Sequence, residues 1–243
     1  MTFKKIIGFG DSWMWGDELL DPTLLTHKYA HPILFENTPY RESNCFLGQL
    51  GTHYGVPTEN FGIPGGSLQS TIWTYLWWRE HETVPLDQCV VLVGLTDPNR
   101  QTFYNPNHVA YSNDPPWYRF VHSAWIHSGG ATPGDPWTQM VKSHMVLTDC
   151  DAVHKLNYQQ TVLFFQGQSC YETGPLLQFN TMFGTLNMPC STLVWPTQSL
   201  NYMLKLEPNQ TDLFAPMGHP SEKGHAVLRD RLIVEIDRAI IAQ

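Results

Sequence analysis

The chain has 243 residues, 42% of them hydrophobic and 15% charged, which is enough apolar material for a packed core and too little charge for a disordered chain. Its formal net charge of -8 excludes the basic stripe that a nucleic-acid partner normally requires. The five cysteines, Cys45, Cys89, Cys150, Cys170 and Cys190, form no C-x-x-C pair, so neither a zinc site nor a disulfide framework is expected, and reduced thiols in an intracellular protein are.

In chain order, residues 5–9 (KIIGF) read as a short buried strand that stops at Gly10-Asp11-Ser12. The N-terminal segment has two lysines, Lys4 and Lys5, and only a very short apolar run before Gly8, which does not fit a signal peptide, and no later stretch is long enough to span a membrane. Residues 45–54 place Phe46, Leu47 and Leu50 at helical spacing, and the glycine-rich connection 60–66 (NFGIPGG) leads into an amphipathic helix over 67–79. The β-branched run 89–95 (CVVLVGL) has the pattern of a strand buried on both faces of a parallel sheet, and 161–165 (TVLFF) repeats it. Between them, Asp135-Pro136 predicts the start of a helix running to about Tyr158. Ser221 is positioned to cap a last helix carrying Leu228, Leu232 and Ile236, with His225 in its first turn.

Strands alternating with helices predict one α/β domain over residues 1–243, a three-layer α/β/α sandwich around a mostly parallel sheet. Two stretches break the rhythm, 21–41 and 105–134, both rich in Pro, Asn, Gly, His and Trp. Loops of that length in a compact domain usually serve function, and their aromatic residues predict a cleft rim.

In open α/β sheets ligands bind beyond the carboxyl ends of the strands, where Ser12 would stand with its hydroxyl exposed and its N–H free. A Gly-Asp-Ser turn alone is weak evidence. Four segments follow in order, however: IIGFGDSWMWGDEL, NFGIPGGSLQS, VVLVGLTD and GHPSEKGHAVL. Together they resemble the four sequence blocks of the SGNH (GDSL-like) hydrolases, and the resemblance runs from Ile6 to Leu228. It implies a flavodoxin-like hydrolase fold acting on esters, with Ser12 as nucleophile and one oxyanion donor, Gly62 as a second donor through its N–H, and His219 as general base.

Two departures from the family pattern matter. The third block normally reads Gly-x-Asn-Asp, but here Thr96 stands where the oxyanion-binding Asn would be, with Asn99 close by in sequence as a substitute. In the last block an Asp usually sits three residues before the His; that position is Pro216, so either Asp212 or a backbone carbonyl is left to orient His219. Asp97 and Arg100 read as a surface pair, with Arg100 also a candidate holder of an anionic substrate group, and Asp11 as a brace for the turn. The histidine pairs His27/His31 and His122/His127 have no third ligand in view, so no metal and no cofactor are expected.

The resulting expectation is a serine esterase cleaving short-chain, chiefly acetyl, esters of a small molecule or carbohydrate. Trp117, Tyr118 and Trp125 would stack on sugar rings. The alternative is a carbohydrate-binding protein of weak or no activity on the same scaffold. Membrane insertion is not expected, and the sequence carries no signal for oligomeric state.

Overall fold

Strand β1 (Lys5–Gly10) lies inside the sheet of a computed structural model that describes residues 3–24, 35–104, 120–123, 136–148, 151–169, 174–182 and 190–242. The other strands are β2 (Thr58–Gly62), β3 (Cys89–Leu95), β4 (Thr102–Tyr104), β5 (Phe120–His122) and β6 (Leu176–Asn180). Four of them form one parallel sheet in the order β2-β1-β3-β6, while β4 and β5 pair antiparallel beside it. The helices are α1 (Ser12–Trp15), α2 (Thr38–Asn44), α3 (Phe46–Tyr54), α4 (Leu68–His81), α5 (Pro136–Thr148), α6 (Asp151–Ser169), α7 (Leu200–Lys205) and α8 (Glu222–Ile241). No helix among the described residues is long and apolar enough to cross a membrane.

Because side chains alternate across a strand, the central strands supply two cores. Ile6, Val90, Leu92, Leu177 and Phe179 pack against Phe46, Leu47 and Leu50 of α3 and Leu228, Leu232 and Ile236 of α8. Ile7, Phe9, Val91, Val93 and Leu95 face the other way, onto Tyr75 and Trp78 of α4 and Tyr158, Val162 and Phe165 of α6. The result is the three-layer α/β/α arrangement that the sequence predicted.

Three local expectations are corrected. Residues 161–165, read as a strand, lie inside α6, where Tyr158, Thr161, Val162 and Phe165 form one buried helical stripe. The strand comes later, at β6, whose polar Gln178 and Asn180 conceal it in sequence. Both are buried and bonded, Gln178 to Thr192 Oγ1 at 2.7 Å and Asn180 to the Tyr158 hydroxyl at 2.6 Å. The helix expected from Pro136 to Tyr158 is two helices, α5 and α6. The irregular stretch 21–41 is partly helical, with a 3-10 turn at Pro22–Leu24, another at Phe35–Asn37 and the start of α2. Most of 105–134, with Trp117, Tyr118 and Trp125, lies outside the described residues, as do His27, His31 and His127.

Ser221 caps α8 by accepting the Gly224 N–H at 3.2 Å, and this places His225 in the core between α8 and α3. Its Nδ1 accepts the Phe46 N–H at 3.1 Å, satisfying an orphan donor at the start of α3. Its Nε2 is buried without a partner among the described residues. Burial first, and the neighbouring His219 second, push its pKa down to about 3. Above the unfolded value near 6.5 both states are neutral and the full stability is present. Below it the unfolded chain takes up a proton that the folded chain refuses until about pH 3, so stability is lost over that interval. The contribution from this one group reaches about 2 kcal/mol by pH 5. Chemical denaturation of wild type and His225→Gln at pH 7 and pH 5 checks this: the acid-induced loss should be smaller in the variant by about that amount.

Candidate active site

The nucleophile candidate stands where β1 stops. Asp11 caps α1 by accepting the Trp13 N–H at 3.0 Å, so Ser12 opens the helix and its N–H has no intrahelical acceptor. The Asp11 carboxylate is fully buried. Its Oδ2 accepts the hydroxyl of Thr96 at 2.7 Å, just past β3, and that of Thr181 at 2.9 Å, just past β6. Arg100 Nη1 lies 3.6 Å from the same oxygen. One carboxylate thus ties together the carboxyl ends of three neighbouring strands. Asp11 braces the turn, as expected from sequence, but largely through side chains.

His219 arrives on the loop before α8. That loop is held by an antiparallel bridge between Phe214 and Pro220, by the Ala215 N–H donating to the His219 carbonyl at 2.8 Å, and by the Gly218 N–H donating to Ala215 at 2.9 Å. The imidazole Nε2 lies 2.9 Å from Ser12 Oγ. The structure therefore brings together the two residues at the ends of the family pattern, 207 positions apart.

The carboxylate against the other imidazole nitrogen is Glu18, which the sequence reading missed. Glu18 Oε2 lies 2.9 Å from His219 Nδ1 and accepts the His219 N–H at 3.0 Å, while Oε1 accepts the Met217 N–H at 2.7 Å. The side chain is only 6% exposed. A backbone turn delivers it. Gly16 closes α1 in the left-handed conformation at φ 84, and the N–H groups of Gly16 and Asp17 both donate to the Ser12 carbonyl, at 3.1 and 3.0 Å. Glu18 itself sits at φ 66, where a side chain is strained by about 1–2 kcal/mol. Asp17 Oδ1 holds it there by accepting the Glu18 N–H at 3.0 Å. From behind, buried Arg41 donates to the Trp15 carbonyl at 2.8 Å and lies 3.9 Å above the Trp15 ring.

Asp212 does not reach His219. It is 60% exposed, pairs with Lys223 at 3.2 Å, and accepts the Ser221 hydroxyl only through its carbonyl. Glu18 stands where a carboxylate from the last block was sought. Thr96 is also placed differently from expectation: its hydroxyl proton goes to Asp11, and its oxygen accepts Arg100 Nη1 at 3.1 Å, so the hydroxyl has no proton left for an oxyanion. Asn99 is exposed. Arg100 pairs with Asp11 rather than Asp97, and its Nη2 lies 3.7 Å from Met182 Sδ.

Gly62 departs from expectation in a similar way. Its N–H donates to its own loop, to Asn60 Oδ1 at 2.9 Å, while Asn60 Nδ2 donates to the Met14 carbonyl at 2.8 Å. What the absent side chain provides is room. A Cβ at Gly62 would lie 2.4 Å from the Trp15 backbone nitrogen, so glycine lets α1 settle on the end of β2.

No family model matches the chain, and no curated protein matches it in sequence. Solved structures do. An alpha/beta hydrolase enzyme from the metagenome of Lake Arreo, Spain, aligns over 99% of this chain and 98% of its own, at 11% identity and a TM-score of 0.50. A member of the lipolytic G-D-S-L family from Veillonella parvula aligns over 97% and 99%, at 12% identity and a TM-score of 0.48. An acetylxylan esterase from Geobacillus stearothermophilus aligns over 97% and 94%, at 12% identity and a TM-score of 0.44. At 11% identity, what the Lake Arreo enzyme shares with this chain is the fold.

The packing at Gly62 is open to a stability measurement. Gly62→Ala forces the Trp15 backbone to move and should cost about 2 kcal/mol or more. Gly167→Ala, in α6 with nothing within 4 Å of the added methyl, should instead raise stability by up to about 1 kcal/mol. Urea titration of the two variants against wild type reads both effects.

Proposed function

We propose that the protein is a serine esterase whose catalytic triad is Ser12, His219 and Glu18. The observation that carries this reading is the continuous chain Ser12 Oγ to His219 Nε2 at 2.9 Å and His219 Nδ1 to Glu18 Oε2 at 2.9 Å. With Nδ1–H donating to the carboxylate, Nε2 carries the lone pair and accepts the serine proton. Ser12 Oγ attacks the ester carbonyl as its proton passes to Nε2, and buried Glu18 stabilises the imidazolium so formed. The tetrahedral adduct collapses as Nε2–H protonates the departing alkoxide. Water, deprotonated by the same nitrogen, then cleaves the acyl-enzyme to a carboxylic acid and free Ser12.

The developing oxyanion needs fixed N–H donors. Ser12 supplies one, since among the described residues no acceptor engages its N–H. The resemblance implies a second from the loop after β2. The N–H groups of Gly62, Ile63, Gly66 and Ser67 are bonded to Asn60, Gly10, Ile63 and Ser70, and Pro64 has none. Gly65, in the left-handed conformation at φ 71, is left. It takes the part that the family pattern suggested for Gly62.

Short acyl esters with a polar alcohol part remain the preferred substrates in this reading. A cavity of about 400 Å³ at the same sheet edge, beyond Arg100, is lined by Met182, Thr197, Gln198, Asn201, Tyr202 and Lys205, among others. That lining suits a hydroxyl-rich group better than a long acyl chain. The alternative of an inactive binding protein rests on the altered third block and the missing acid; Glu18 supplies an acid, and in this reading backbone N–H groups take the place of the third-block Asn.

Turnover of p-nitrophenyl acetate tests the triad. Ser12→Ala should abolish it. Glu18→Gln should lower kcat on the order of a thousand- to ten-thousand-fold, because the amide offers one acceptor oxygen to three N–H donors and no charge to the imidazolium. Asp212→Asn, at an exposed ion pair, should change it less than about twofold. Wild-type turnover retained in Ser12→Ala refutes the proposal; a collapse in Asp212→Asn with none in Glu18→Gln returns the orienting role to Asp212.

A further inference from the structure

Asp17 is used by the triad only in part. Its Oδ1 accepts the Glu18 N–H, and its backbone N–H donates to the Ser12 carbonyl. Its Oδ2 has no hydrogen-bond donor among the described residues and lies 3.7 Å from His219 Nε2. The Asp17 side chain is 20% exposed and that of His219 16%, so this face of the base is not sealed from solvent. The interaction of the Asp17 charge with buried Arg41 and the fixed turn around it leave the carboxylate little freedom to turn away.

We infer that Asp17 is a specificity residue that accepts a hydrogen bond from a hydroxyl on the carbon adjacent to the one bearing the ester oxygen, selecting esters of vicinal diols and polyols. The inference rests on the serine esterase reading. In the step that expels the alcohol, the leaving oxygen must lie within about 3.2 Å of Nε2 to receive its proton. A carboxylate oxygen 3.7 Å from the same nitrogen is then a near neighbour of that leaving oxygen. It repels an anionic or lone-pair-only substituent there and accepts from an O–H one carbon further along. Hydrogen bonds to a charged acceptor are about twice as strong as neutral ones, and a bound alcohol covers this one from water. The alcohol that fits carries adjacent hydroxyls, as sugars and glycerol do, whereas a simple alkyl alcohol leaves Oδ2 without a donor.

The test compares 2-hydroxyethyl acetate with propyl acetate, which differ by a hydroxyl in place of a methyl. Each kcat/KM ratio is measured for wild type, Asp17→Asn and Asp17→Ala, and set against the ratio for hydroxide-catalysed hydrolysis. Asp17→Asn still offers an amide oxygen to the Glu18 N–H, so the turn keeps its brace while the charge is lost. Wild type should exceed the hydroxide ratio by about tenfold or more, and both variants should fall back toward it. A wild-type ratio no larger than that for hydroxide overturns the inference, as does a wild-type preference that survives undiminished in both variants. A wild-type protein inert to both acetates and to p-nitrophenyl acetate removes the esterase reading itself, a result distinct from an active enzyme without the preference.

Discussion

Three N–H donors from the loop before α8 converge on the two oxygens of Glu18, a carboxylate held in left-handed backbone 201 residues earlier in the chain. Much of the site depends on this contact. It fixes the height of His219 over Ser12, selects the imidazole tautomer with its lone pair toward the serine, and ties the first turn of the fold to the last. The strain at Glu18 is offset by three charge-assisted hydrogen bonds to a buried carboxylate. Strain that persists because its surroundings over-determine it is a common property of groups held ready for chemistry.

A second buried carboxylate sets the frame in which that contact works. Asp11 draws hydroxyls from just past β3 and β6 onto the end of β1, so three strand ends are cross-linked beside Ser12. The same arrangement accounts for Thr96. An Asn at that position would need to satisfy Asp11 and also reach the cleft, whereas Thr spends its single proton inward and its oxygen on Arg100. In the proposed mechanism the oxyanion donors are backbone groups, which carry no side-chain entropy and require no reorganisation as the charge develops.

The layers of the fold were legible because they depend on period alone. Runs such as 89–95 and the stripe of Leu228, Leu232 and Ile236 carry their burial in their spacing. The misplaced strand shows where period fails. A threonine and four apolar residues at 161–165 fit a buried strand and a buried helix stripe equally well, while β6 hid its character behind Gln178 and Asn180, whose partners lie elsewhere in the chain. In the site, Ser12 and His219 were legible as the ends of an ordered pattern. Glu18 was not, because the pattern places its acid in the last block and nothing local marks a Glu as left-handed. The one available signal was the acidic pair Asp17-Glu18 directly after Gly16, within a turn of the nucleophile. At Gly62 the structure shows one need for glycine, the close approach of Trp15, with the N–H bonded to Asn60.

The central claim is that Ser12 is activated through His219 by Glu18, and the most direct measurement is the rate of covalent labelling by an organophosphonate, with the modified peptide identified by mass spectrometry. Wild type should carry the adduct on Ser12, and Glu18→Gln and His219→Ala should both react more slowly by a factor on the order of a thousand. An unlabelled wild-type protein, or Ser12 labelling at an undiminished rate in Glu18→Gln, would contradict it.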